Sequence, residues 1–228
     1  MTRNRTNRFA LRTLAGAAIA LTTGAAHAGV SNYGGNIYAG VQTSPPSNHD
    51  LRLNATEDNT RTRVYLEQSN ILLQSTIYYN AHLNGTYQQN SALVRQAIPG
   101  TGSATVNSYI LHFDPTSGIR TRTSQGFIEF TNPIYVISRN SDLDASDIRF
   151  GMTGVQYATG PLSDRGYDLA SNDAFWISTP QAGVWRLDFY ARSSTGMDEL
   201  RVIEMVSVPS PAPLALLGLG GLFAARRR

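Results

Sequence analysis

The stretch "AFWISTPQAGVWRLDFYAR" (residues 174–192) decides the fold class. Two runs of aromatic and branched residues, 174–178 and 184–192, stand on either side of a Thr-Pro-Gln-Ala-Gly cluster. Such runs are typical of β-strands, and the cluster between them is typical of a turn. The stretch therefore predicts two strands joined by a turn.

Alternation within these two runs assigns side chains to faces, because successive side chains of a strand point to opposite sides. In the second run Trp185 shares a face with Leu187 and Phe189, which predicts that Trp185 lies in the core. In the first run Trp176 lies opposite to its apolar neighbours, on the face of Ser178. Trp176 is therefore our candidate for an exposed, ligand-binding ring.

Similar short runs fill the chain from Thr60 onward, separated by Gly, Pro, Asn and Asp clusters, and no internal repeat is evident. Eight or nine such strands predict an all-β domain over residues 29–207, a single antiparallel β-sandwich of jelly-roll type rather than a propeller or solenoid. The polar segment 29–59 contributes one short strand near 36–41. One helical turn is expected in "DLDASDIRF" (142–150), where Asp144 or Ser146 would serve as N-cap.

The N-terminus has the three parts of a secretory signal peptide. Four arginines precede residue 13 without any acidic residue, an apolar segment covers 14–25, and Ala26-His27-Ala28 fits the small-x-small cleavage rule. We predict a signal peptide over residues 1–28, helical before its removal, and export of the chain.

The C-terminus also has three parts. Prolines alternate with small residues over 209–213, an uncharged apolar segment follows over 214–225, and Arg226, Arg227 and Arg228 end the chain. Prolines at every second position keep the first part extended. As a helix the 12 apolar residues would reach only about 18 Å, against a hydrocarbon core of about 30 Å. We therefore expect a short apolar helix that makes transient membrane contact.

This tail resembles the bacterial PEP-CTERM sorting signal, the tag that membrane transpeptidase-like exosortases process. The resemblance covers residues 208–228, and Pro209-Ser210-Pro211 stands where the family usually has Pro-Glu-Pro. It implies an exosortase-like partner, anchoring before processing, and delivery to the cell surface or extracellular matrix. The body is similar to an uncharacterised architecture often found before such tails, which implies no catalytic residues.

Composition excludes several classes of function. Residues 29–209 carry 12 arginines against 16 acidic residues, a formal charge of −4, so the folded part lacks the basic surface that nucleic acid requires. The chain contains no Cys and no Lys. Disulfides, thiolate chemistry and Schiff bases are therefore excluded, and the domain depends on its core for stability.

Three carboxylates, Asp142, Asp144 and Asp147, stand close together and form a weak Ca²⁺ candidate. The spacing is not that of an EF-hand loop, because Asp147 and Thr153 occupy the positions of the required Gly and Glu. A solvated turn explains the same three residues without metal, and we predict no cofactor.

Catalytic patterns are incomplete. His112 and Asp114 resemble half of a His-x-Asp facial triad, but no histidine follows His112. The chain has no Gly-x-Ser-x-Gly nucleophile elbow. Carboxylates that could form a glycoside-cleaving pair are Glu67, Glu129, Asp188 and Glu204.

These patterns favour an exported, surface-sorted, non-enzymatic protein with a structural or matrix-interaction role. The alternative is a carbohydrate-binding module with extracellular polysaccharide as partner, and an envelope hydrolase is third. The first two differ in one feature, since a sugar-binding module needs aromatic rings on a flat or grooved platform.

Overall fold

The computed structural model describes residues 29–100, 102, 104–118, 120–160, 165–170 and 173–206. Within these residues the chain forms twelve strands, one α-helix and one 3₁₀ turn at Asn90–Ala92. The elements are β1 Val30–Gly35, β2 Ile37–Gln42, β3 Thr62–Leu72, β4 Ile77–Tyr79, β5 Gly85–Tyr87, β6 Gln96–Ile98, β7 Thr105–Phe113, β8 Arg122–Phe130, β9 Ile134–Ile137, α1 Asn140–Phe150, β10 Ala174–Gln181, β11 Val184–Ser193 and β12 Asp198–Val206.

The strands form two five-stranded sheets and one small sheet, which confirms the all-β prediction. Sheet 1 has the order β1-β8-β11-β10-β5, sheet 2 has the order β2-β3-β7-β12-β9, and β4 pairs with β6. One pair departs from the antiparallel arrangement, because β2 runs parallel to β3. The long connection over 43–61 permits this, since parallel neighbours need a crossover of a dozen or more residues.

Sheets 1 and 2 face each other across one apolar core. Leu187 and Phe189 of sheet 1 contribute to it with Leu111 and Val202 of sheet 2, and all four are at most 1% exposed. Alternation therefore assigned this face of β11 correctly. Trp185 lies on the same face but is only half-buried, and it packs against the core near the start of the strand.

A second core lies on the other side of sheet 2, beneath α1. Leu143 and Phe150 of the helix pack there against Ile110 and Ile203. The helix is longer than the single turn that the sequence predicts, and its N-cap is Arg139. The prediction of Asp144 or Ser146 as N-cap is therefore wrong, because packing of the apolar face stabilises a helix that begins earlier.

Several predicted segments lie outside the described residues. They are the signal peptide over 1–28, with Ala26 and Ala28, and the sorting signal over 208–228, with Pro209, Ser210, Pro211, Arg226, Arg227 and Arg228. In the part of the chain that is described, no helix combines the length and apolar character needed to cross a membrane.

Candidate functional site

Trp176 lies on the outer face of sheet 1, the face that points away from sheet 2. Its neighbours Phe175 and Ile177 are buried in the core between the sheets. The Trp176 ring is half-buried rather than exposed. Across the sheet it is paired with Thr86 on β5 and with Asp188 on β11. The Trp176 ring therefore lies between the side chains of Thr86 and Asp188 on the two neighbouring strands, and both of these can form hydrogen bonds.

Arg186 organises the charged part of the same face. Its Nη2 donates to Asp188 Oδ1 at 2.7 Å and its Nη1 to Glu129 Oε1 at 3.3 Å. The guanidinium carbon lies 3.8 Å from the centre of the Phe127 ring. Asn32 Nδ2 donates to Glu129 Oε2 at 3.1 Å. The platform comprises Trp176, Phe127, Arg186, Asp188, Glu129 and Asn32.

The platform combines aromatic and polar groups on a surface of five strands. Phe127 lies directly over Gly34 of β1, where an added Cβ would come within 2.6 Å of the ring. A side chain at Gly34 would therefore displace Phe127. Because the ion pairs and this close contact hold the side chains in place, the platform offers preorganised rings and hydrogen-bonding groups.

The three aspartates of the weak Ca²⁺ candidate lie on α1, and each is paired with an arginine. Asp142 Oδ1 accepts a hydrogen bond from Arg95 Nε at 2.9 Å. Asp144 Oδ1 lies 3.3 Å from Arg165 Nη1, and Asp147 accepts two hydrogen bonds from the same guanidinium. No cluster of three or more His, Asp or Glu side chains suited to a metal occurs within the described segments. Arginines thus neutralise the charge that a cation would otherwise balance.

A buried ionic network connects α1 to sheet 2. Arg201 is fully buried and donates from Nε and Nη2 to the two oxygens of Glu67, each at 2.7 Å. Its Nη2 also donates to Asp147 Oδ1 at 2.8 Å, and Tyr157 Oη donates to Glu67 Oε1 at 2.8 Å. Burial opposes the charge of Arg201, but Glu67 and Asp147 raise its pKa above the ordinary value. The network therefore fastens the helix to the sheet.

His112 belongs to an adjacent part of this network. Its Nδ1 lies 2.8 Å from Glu199 Oε1, and its Nε2 lies 3.9 Å from Asp114 Oδ2. Burial disfavours the charged ring, but Asp114 and Glu199 outweigh it and raise the pKa of His112 to about 9. Glu199 is desolvated too, yet Arg165 and His112 lower its pKa to about 2. A protonated imidazole has no free lone pair with which to bind iron. His112 and Glu199 therefore act as an ion pair.

The four carboxylates considered for glycoside cleavage do not meet in one place. Glu67 lies beneath α1, whereas Glu204 accepts hydrogen bonds from Asn107 and Tyr109 at 2.9 and 3.2 Å. Glu129 and Asp188 lie together on the platform, where both bind Arg186.

Sequence reasoning missed a different group, a polar cleft at one end of the sandwich. It has a volume of about 580 Å³ and is lined by Ser138, Tyr167, Asp173 and Asp198, among others. Asp173 directly precedes β10 and Asp198 begins β12, so both stand at strand ends. No spacing along the chain relates these residues, which only the strand pairing brings together.

Comparisons with family models, with curated proteins and with solved structures find no match to this chain.

Proposed function

We propose that this chain is an exported, surface-sorted, non-enzymatic protein that binds extracellular polysaccharide and contributes to the cell envelope or its matrix. The signal peptide, the PEP-CTERM-like tail and an exosortase-like processing partner belong to the proposal as they were predicted. The jelly-roll class of the sandwich likewise stays a prediction.

The observation that carries the binding role is the platform. Sugar rings present apolar C–H faces that stack on aromatic side chains, while their hydroxyls bind charged and amide groups at the ring edge. Trp176 supplies the stacking ring, Phe127 packs beneath Arg186, and Asn32, Asp188 and Glu129 supply the polar groups beside them. The mixture of charge signs around Arg186 suits a neutral or weakly charged glycan better than a strongly acidic one.

Replacement of Trp176 by Ala tests the proposal. We expect Trp176→Ala to lose retention on a glycan array, because the stacking surface disappears, while the chain stays folded with a moderately lower melting temperature, because the ring is half-buried. The full chain should be assayed in a detergent without a sugar headgroup. Tyr78→Ala is the matched control, since Tyr78 is a 45% exposed ring on the small sheet, away from the platform.

Two results would contradict this function. One is that no glycan on the array retains the wild-type chain. The other is that Trp176→Ala and Tyr78→Ala retain the same glycans as the wild type.

A further inference from the structure

The polar cleft lies where strand ends of both sheets come together. Ser138 follows β9, Tyr167 lies in the segment after α1, Asp173 precedes β10 and Asp198 begins β12. The volume of about 580 Å³ falls within the range of small-molecule sites. Apart from glycines and the Tyr167 ring, its lining consists of charged, amide and hydroxyl side chains. The cleft is therefore a concave site of almost wholly polar character.

Three polar atoms of this lining are buried and lack a hydrogen-bond partner among the described residues. They are Ser138 Oγ, Tyr167 Oη and Asp198 Oδ2. The three residues are 1%, 5% and 7% exposed, and they come from three separate segments of the chain. Proteins rarely leave such groups unpaired, because burial removes water that would otherwise bind them. Their convergence on one cleft indicates that a ligand supplies the missing partners.

The neighbouring carboxylate is already held by the backbone. Asp173 Oδ1 accepts the N–H of Arg192 at 2.7 Å, and its Oδ2 accepts the N–H of Asp168 at 2.8 Å. Asp173 therefore has a fixed orientation, and Asp198 beside it keeps an unsatisfied oxygen. This contrast leaves Asp198, rather than Asp173, as the carboxyl group available to a ligand.

The charges of the cleft favour an uncharged ligand. Acidic and basic side chains both line it: Asp168, Asp173, Asp198, Arg139, Arg165 and Arg192. Arg165 is also occupied by Glu199, at 2.6 Å from its Nε. An anion would meet the aspartates and an organic cation would meet the arginines.

The protonation of these groups points to hydroxyls as the ligand's functional groups. Burial raises the pKa of Asp173 to about 7, and burial together with Asp173 raises the pKa of Asp198. Burial also raises the pKa of Tyr167 well above its ordinary value, so its phenol keeps its proton. The cleft thus presents donors and acceptors side by side. A sugar hydroxyl both donates and accepts, and so it can pair with either kind of group.

We propose that this cleft binds a short, uncharged saccharide, to which Ser138, Tyr167 and Asp198 provide hydrogen bonds that no described residue makes with them. The site is separate from the platform and does not require Trp176. The platform would hold the flank of a polysaccharide, whereas the cleft encloses a short saccharide or a chain end.

Saturation-transfer NMR on the full chain tests the cleft. The probes are glucose, galactose, mannose, N-acetylglucosamine, cellobiose and lactose, in a detergent without a sugar headgroup. We expect at least one probe to receive saturation from the wild-type chain. Tyr167→Phe should weaken its binding about fivefold, which is the effect of losing one hydrogen bond between neutral groups. Tyr167→Phe with Ser138→Ala should weaken it tenfold or more.

The variants are chosen to keep the fold intact. Tyr167→Phe removes a hydroxyl that has no partner in the described part of the chain, and it preserves the ring contact with Phe175, whose centre lies 6.3 Å away. The matched control is Tyr65→Phe, which removes another buried hydroxyl, from the face of sheet 2 beneath α1. We expect Tyr65→Phe and Trp176→Ala to bind the probe as the wild type does.

Each remaining outcome would overturn the proposal. If no probe receives saturation, the cleft is not a saccharide site. If Tyr167→Phe binds the probe with unchanged affinity, the assigned hydrogen bonds are wrong. Equal loss in Tyr65→Phe would mean that the effect is structural. Loss of probe binding in Trp176→Ala would mean that the platform alone binds sugar. If Trp176→Ala keeps its glycans on the array while Tyr167→Phe weakens binding of the probe, the platform proposal fails and the cleft proposal stands, so the two proposals fail separately.

Discussion

Replacement of Arg201 by Met should destabilise the fold strongly, because it leaves buried carboxylates without their cation. Arg201 makes two 2.7 Å hydrogen bonds to Glu67 and one of 2.8 Å to Asp147. Met fills much of the same volume, so the change removes charge more than packing. Asp147 keeps Arg165, but of its partners in the described segments Glu67 keeps only the hydroxyls of Tyr157 and Ser108.

The expected loss is about 3–5 kcal/mol of unfolding free energy, the usual effect of removing one partner of a buried ion pair. Urea unfolding of the full chain measures it. Glu67→Gln in the Arg201→Met background removes the stranded charge and should restore about 2 kcal/mol. Arg95→Met is the matched control: the Arg95 side chain is 48% exposed in its pair with Asp142, so we expect a loss below about 1 kcal/mol.

The reasoning is refuted if Arg201→Met costs no more than Arg95→Met. It is also refuted if Glu67→Gln restores nothing in the double variant, because the stranded charge would then not be the cause of the loss.

Two further predictions concern acidity and processing. Because folding raises the pKa of Asp173 from 3.8 to about 7 and that of His112 from 6.5 to about 9, the folded state holds extra protons, and stability should fall as pH rises through both ranges. Urea titrations near pH 5, 7 and 9 should show both declines, and Asp173→Asn should reduce the one at lower pH while leaving the one at higher pH; a flat profile in the wild type would contradict the assignment. For the exported protein, terminal sequencing and mass spectrometry should give a chain that begins at Gly29 and lacks the tail. Peptides ending at Arg228 on the extracellular product would show that the tail is a permanent anchor.

The alternation of polar and apolar residues was sufficient to assign side chains to a face wherever the two faces of a strand differ in polarity. In β10 and β11 the alternation placed Leu187 and Phe189 in the core and Trp176 on the outer face, as the structure has them. It could not give the extent of burial. Trp185 is the second residue of its strand, at the margin of the core, and is half-buried, and Trp176 is also half-buried.

Short strands escaped prediction because pairing, rather than composition, stabilises them. β1 contains Ser, Asn and two Gly, residues with little β-propensity, yet it pairs along most of its length with β8. β5 and β6 are three residues long and exist only beside β10 and β4. The parallel pairing of β2 with β3 likewise depends on the path of a loop.

The all-β class, the faces of the long strands and the exclusion of cysteine and lysine chemistry can be inferred from the chain alone, because they follow from composition and from a period of two residues. The partners of the charged residues depend on the folded arrangement. Three aspartates that resemble a calcium loop meet three arginines from distant segments, and Asp173 and Asp198 meet across strand ends. Charges interact through space, and the separation of two residues along the chain says little about their distance in a folded sandwich.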